Sequence, residues 1–262
     1  MNQPPALEPQ SVSPPLRATS LAARLMNVLV TPSEVFDEVK SAKASVANWL
    51  VPAVLLIVIG WIGAGLIFSQ PALQQQMNEM AEKNIEKQIQ KQHLPPDQAE
   101  QARQKGVQFA GLFSKAGAVA APVFLAILTP IWWGLIIWLV GAKLFKANFH
   151  YLKAVEIAGL SNMIGVLGAV VRILLILVTG NIFAAPSLVL LAKDFDPQNP
   201  VHGLMGVANV MTLWFLGVAA IGLARLSGTS FMKAAAWVFG IWACYTGLMV
   251  GIGFAFQALF AK

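Results

Sequence analysis

The sequence predicts an all-α, polytopic membrane protein with five transmembrane helices, an N-terminal amphipathic segment and a polar helical insert. Three observations carry this prediction. Hydrophobic residues make up 57% of the 262 and charged residues only 11%, less than half the roughly 25% usual in soluble domains. Mean hydropathy is +0.66. The apolar residues gather into five stretches of 21 to 26 residues, and about 20 suffice to cross the hydrocarbon core as a helix. Backbone groups in lipid must be satisfied internally. None of the five stretches alternates in and out as a barrel strand would.

The elements follow in order. Residues 1–19 carry five prolines and no apolar periodicity, so they read as a disordered tail. No basic start followed by an apolar core marks them as a signal peptide. Residues 20–46 form an amphipathic segment, with Leu21, Leu25, Val28 and Leu29 at helical spacing. Thr31 is expected to cap a second helix, with Pro32 in its first turn and Glu34 near its positive end. Val35, Phe36 and Val39 give that helix an apolar face. The segment lies on the membrane surface, meets a partner, or packs under the bundle.

The five-span domain occupies 47–262, with spans at about 47–69, 116–140, 157–179, 204–224 and 234–259. Between the first two lies the polar insert 70–115. Leu73, Met77, Met80, Ile85 and Ile89 mark one apolar stripe there, Pro95-Pro96 breaks it, and Asp97 begins a second helical stretch towards Phe113. A helical hairpin outside the bilayer fits this pattern. A dimerising coil is the alternative, but the stripe falls short of three or four clean heptads.

Charge sets the expected orientation. The net charge of +6 needs no polyanion, because membrane proteins keep Lys and Arg in cytoplasmic loops. No basic run interleaves with aromatics, so nucleic acid is not a partner. The N-terminal region and the second and fourth loops hold nine Lys and Arg, from Arg17 to Lys233. The opposite side has six in the long insert, plus Lys193 and Lys262. The bias among short loops puts the N-terminus in the cytoplasm and the C-terminus outside.

Missing chemistry narrows the function further. No Asp, Glu or His falls inside the five spans as bounded above, and Glu156 stands at an edge. This leaves no carboxylate pair for intramembrane proteolysis, no base for a nucleophilic serine, no bis-histidine haem site and no buried proton relay. GxxxxGK[ST] is absent. The single cysteine, Cys244, excludes a disulfide framework. Asp194, Asp196 and His202 share one loop, and only there would an enzyme or a metal find ligands; the pattern is too loose to assign either. No catalytic residue, metal or cofactor is assigned.

Arg172 is the one charge at membrane depth. It either contacts an anion or headgroup, or snorkels to the interface about 10 Å away. It lies sixteen residues after Glu156, about 24 Å along one helix, so the two do not pair. Asn162, Asn209 and Gln257 are the other candidate intramembrane polar contacts, and with Arg172 they would line one polar path. The ordinary role of such amides is an interhelical hydrogen bond. Gly60, Gly63 and Gly65, and Gly247 and Gly251, permit close helix approach, expected mainly within the chain. An oligomer built on them is the alternative.

The order of the parts resembles a known family. TPSEVFDEVK precedes Trp49 and Pro52, a long polar insert follows, GAKLFKANFHYLKAVEIAGLSNMIGVLGAV joins the second and third spans, and FLGVAAIGLARLSGTSFMKAAAWV comes near the end. This resembles the bacterial branch of the Yip (Ypt/Rab-interacting protein) family of five-span membrane proteins, over roughly residues 25–260. Bacterial members often show a proline early in the third span, where this chain reads Ser161-Asn162-Met163. The resemblance implies five helices, a cytosolic N-terminus and a place in the bacterial inner membrane. Eukaryotic relatives act in vesicle traffic with Rab-type GTPases; their contacting motifs are absent here, and no site residue transfers.

The resulting expectation is a non-enzymatic protein of the lipid bilayer. It would organise membrane or partner proteins through residues 20–46 or 70–115. A transporter, channel or lipid-moving protein with a polar path near Arg172 is the alternative.

Overall fold

A computed structural model describes residues 19–192, 195–196 and 199–260, apart from the side chains of 200, 254 and 256–260. The tail 1–18 and Asp194 lie outside the described residues. The chain folds into ten α-helices among those residues. Five helical stretches are long and apolar enough to span a bilayer: Ala47–Phe68, Pro96–Leu144, Tyr151–Thr179, Val210–Ser227 and Phe231–Gly253.

The chain enters through two short helices, α1 (Leu21–Asn27) and α2 (Pro32–Ser41). Ser20 caps α1 by accepting the Ala23 N–H. Thr31 does not cap α2 as expected. Its N–H and hydroxyl both turn back to the Asn27 carbonyl, closing the turn out of α1. Leu25, Val28, Val35, Phe36 and Val39 are buried in the central core. The bundle therefore covers most of the apolar face of residues 20–46, while Met26, Val30 and Val46 stay exposed.

Helix α3 (Ala47–Phe68) is the first span and leads into α4 (Pro71–Gln92). Pro71 starts α4, and His93 closes it in a left-handed conformation. Helix α5 then runs unbroken from Pro96 to Leu139, 44 residues, or about 66 Å. The hydrocarbon core is only about 30 Å thick, so the first half of α5 stands outside it. The sequence reading expected the insert to end near residue 115. Instead, the second arm of the hairpin is continuous with the second span, because nothing between Phe113 and Val119 stops a helix. The apolar stripe of α4 is used inside the protein. Leu73 is buried against Ile67, Ile176 and Ala184, and Ile85 packs onto Gly106 of α5. That stripe is not left open for a coiled coil.

A π-helical turn, Val140–Leu144, ends α5. The third span consists of two helices, α6 (Tyr151–Ser161) and α7 (Met163–Thr179), meeting at Asn162. It begins six residues earlier than expected, which places Glu156 inside a helix at 1% exposure. The expected fourth span also shifts. Helix α8 (Pro200–Val207) is separate, and α9 (Val210–Ser227) is the spanning helix. Asn209 makes the break: its Oδ1 accepts the Met211 N–H at 2.9 Å and caps α9. Helix α10 (Phe231–Phe260) follows.

The core centres on α6 and α9. Phe36, Ile157, Leu160, Leu216 and Leu223 are fully buried there. Helix α6 meets α3 at Gly159, where any Cβ would overlap the Trp49 backbone. Gly60 packs on Pro122 and Gly63 on Ile173, both within the chain. Gly65, Gly247 and Gly251 differ from expectation, since a Cβ at any of them would meet nothing within 4 Å. Helix α10 leans mainly on α9 and turns the face of Gly247 and Gly251 outward.

The two ends of the bundle are distinct. At one end, α2 reaches the α9 terminus through Arg225–Asp37 at 3.2 Å and Lys40 Nζ to the Arg225 carbonyl at 2.9 Å. At the other end, Gln76 of α4 holds the loop after α7, donating to the Gly180 carbonyl and accepting the Ile182 N–H at 3.0 Å.

Candidate functional site

A pocket of about 580 Å³ lies within the bundle, walled by α5, α7, α9 and α10. On α7, Asn162, Gly165, Gly168, Ala169 and Arg172 line it, a spacing that puts them on one helical face. Gly165 lies against the Asn162 side chain and Gly168 against Met211, where a Cβ would crowd each. Helix α9 offers its first turn, with Asn209, Met211 and Thr212. Trp132, Trp133 and Ile136 of α5, and Ile241, Trp242 and Tyr245 of α10, form the opposing walls. Trp133 is fixed edge-on to Phe215 at 5.4 Å.

The polarity of this pocket has one sign. Among the described residues Arg172 is the only charged one lining it, and none of them is acidic. Among the described residues Arg172 is exposed and has no hydrogen-bond or ion-pair partner. The first turn of α9 adds the positive end of a helix dipole. Asn162 is 5% exposed, and its Nδ2 is buried with no acceptor in the protein. A buried donor left in this state costs about 1–3 kcal/mol.

Of the four polar residues singled out from the sequence, Arg172, Asn162 and Asn209 share this pocket. The side chain of Gln257 lies outside the described residues. Asn162 does not make the interhelical bond expected of it, and Asn209 uses its oxygen as a cap. Thr212 and Tyr245, also polar residues of the spans, join them, whereas sequence reasoning did not bring the aromatic walls to this pocket. Trp132, Trp133 and Ile136 occur at helical spacing, but lipid-facing and pocket-facing aromatics look alike in a chain with eight tryptophans.

A second polar cluster joins three parts of the chain at the opposite end. Glu156 accepts the Ser45 N–H at 2.7 Å and the Asn48 Nδ2 at 2.9 Å, with Lys153 Nζ at 3.5 Å. Asn48 in turn accepts from Arg24 at 3.0 Å, and Arg24 pairs with Glu38 at 3.4 Å. Lys153 also donates to the Val39 carbonyl at 2.8 Å. Every strong acceptor here is satisfied, so the cluster holds α1, α2, α3 and α6 together and leaves no base free for chemistry.

Outside the bundle, a polar groove of about 590 Å³ separates α4 from the loop after α7. Glu79, Lys83 and Lys87 line one wall, Asn181, Phe183 and Phe195 the other. From α8, His202 Nδ1 accepts the Asp196 N–H of that loop at 2.9 Å and the ring stacks on Phe195. His202 thus holds the loop in shape, while Asp194 lies outside the described residues.

Comparison with known proteins gives one match. The family model described as the Yip1 domain matches residues 26–253. No curated protein and no solved structure matches.

Proposed function

The chain belongs to the Yip1-domain family, and on that premise we propose a non-enzymatic, multi-pass membrane protein that organises partner proteins through its hairpin outside the bilayer. The observation that carries this reading is the polar groove at the root of the hairpin, between α4 and the loop after α7. The hairpin is a built surface. One arm continues a spanning helix, Arg103 bridges the two arms to Glu86 at 2.7 Å, and Gln76 fastens its base. Residues 20–46 offer less contact surface, because the bundle covers most of their apolar face. The expected location is the bacterial inner membrane, with the hairpin on the outer side.

Capture of partners from gently solubilised membranes tests this reading. A stoichiometric partner should co-purify with the parent protein and be lost from Lys83→Glu and from a chain with residues 73–112 replaced by a Gly-Ser linker. A partner profile unchanged in both variants would remove the hairpin from the account.

A second reading is supported by the three expected polar residues sharing one pocket. It is movement of a solute or lipid past Arg172. Its signature is a flux across reconstituted vesicles that Arg172→Leu abolishes.

A further inference from the structure

We propose that the pocket between α5, α7, α9 and α10 is a binding site for an anionic phospholipid drawn from the surrounding bilayer. This goes beyond the hairpin reading and does not depend on it. It asks for binding only, so it also stands or falls separately from the flux reading.

Three independent features favour a negative headgroup. Arg172 brings a full positive charge without a partner among the described residues, and its guanidinium fork suits a phosphate. The first turn of α9, an 18-residue helix, lines the same space and presents its positive end. No acidic residue among the described ones lines the pocket to compete for either. Each of these would repel a cation and leave a neutral ligand indifferent.

The depth of the polar groups then distinguishes a phospholipid from a small anion. Asn162 precedes Arg172 by ten residues on the same face, about 15 Å deeper by helix rise. Its Nδ2 is an orphan donor in a 5%-exposed side chain. A phospholipid carries its phosphate outermost and its ester carbonyls and chains further in, so one molecule extends from the level of Arg172 towards that of Asn162. A helical side chain leans towards the N-terminus of its helix, so the guanidinium can reach back from Arg172 towards Asn162. The walls opposite are apolar, with Trp133, Ile136, Ile241 and Trp242 offering a chain its lining.

The way in is lateral. Trp132 and Tyr245 stand on the rim, 48% and 50% exposed on the lipid-facing side of the spans. Helix α10 packs mainly against α9, so α5, α7 and α10 surround a gap whose floor is α9. A ligand already in the bilayer reaches this gap without crossing water.

The test is a lipid titration on the full-length protein in mild detergent, read by native mass spectrometry. Dioleoyl phosphatidylglycerol and dioleoyl phosphatidylcholine are compared, with soluble glycerol 3-phosphate as competitor. The parent protein should bind the glycerol lipid about tenfold or more tighter than the choline lipid, whose quaternary ammonium offsets the phosphate charge facing Arg172. Arg172→Gln should remove that preference, and Lys143→Gln, at the other end of the bundle, should keep it. Ala169→Phe, which fills the pocket, should weaken both lipids. Equal affinity for the two lipids in the parent would overturn the proposal without recourse to any variant. So would a preference that survives Arg172→Gln, an equal loss in Lys143→Gln, or binding of both lipids unaltered by Ala169→Phe. Displacement by glycerol 3-phosphate at concentrations comparable to the lipid would reassign the site to a soluble phosphate ester.

Discussion

A carboxylate at 1% exposure in a membrane bundle is tolerated only where its charge is matched and its lone pairs are used, and Glu156 meets both conditions. Its partners come from the segment before α3, from α3 itself and from its own helix. It therefore connects pieces far apart in sequence, with Ser45 lying 111 residues away. Replacing it by alanine would leave the Asn48 amide, the Ser45 N–H and the Lys153 ammonium without their acceptor. Removing one partner of such a buried pair costs about 3–5 kcal/mol. Glu156→Ala should therefore lower the thermal unfolding midpoint in detergent markedly, and Glu156→Gln, which keeps an acceptor oxygen, should lower it less. An equal midpoint for parent and Glu156→Ala would show that the cluster does not hold the N-terminal helices. Glu156 illustrates what was legible. Its identity as the exceptional acid at a span edge was readable from composition. Its burial was not, because that depends on the third span starting at Tyr151 rather than Ile157, and helix starts without Ser, Asp or Pro caps leave little trace. Asn162 and Arg172 were readable as polar residues at depth. That Asn162 would lack an acceptor is a property of its neighbours, which present no acceptor to its Nδ2 among the described residues.

The elements divide between those that periodicity determines and those that tertiary packing decides. All five spans were readable, since length and hydropathy suffice for lipid. The hairpin was readable from its stripe and from Pro95-Pro96. Its fusion with the second span was not, because a change from polar to apolar composition does not interrupt a helix. The same fusion gives the hairpin a rigid arm, so its stability rests on contacts between arms. Glu86 faces Arg103 there at 2.7 Å, and the hydrogen bond from that guanidinium holds its carboxyl below the ordinary 4.5. A carboxyl whose folded value is lowered stabilises the fold fully above its unfolded value and loses that contribution as pH falls through the folded one. The hairpin should therefore keep its hydrogen-exchange protection from neutral pH down to about 4.5 and lose part of it below. Arg103→Ala should flatten this dependence, although Glu82 and Glu100 stand near the same guanidinium. Protection in residues 80–106 that is identical across that window in both proteins would remove the ion pair as a clamp.

At the scale of the whole molecule, the fold separates two polar ends that do different work. One end is tied shut by Arg24, Glu38, Asn48, Lys153, Glu156 and the Arg225–Asp37 pair. The other stands open as the hairpin and its groove. The closed end also carries the short, basic loops: Lys43, Lys143, Lys146 and Lys233 are exposed there, and Lys and Arg in short loops are retained on the cytoplasmic side. This end should face the cytoplasm and the hairpin should face outward, an assignment that labelling decides directly. Cys244 is the only cysteine, so Cys244→Ser gives a silent background into which Lys43→Cys or Gln92→Cys is introduced. Both positions are exposed, one at each end. A membrane-impermeant maleimide applied to intact cells should label Gln92→Cys and spare Lys43→Cys until the membrane is opened. The opposite pattern would invert the molecule, place the hairpin groove among cytoplasmic partners, and make the insert's six basic residues the ones that set its topology.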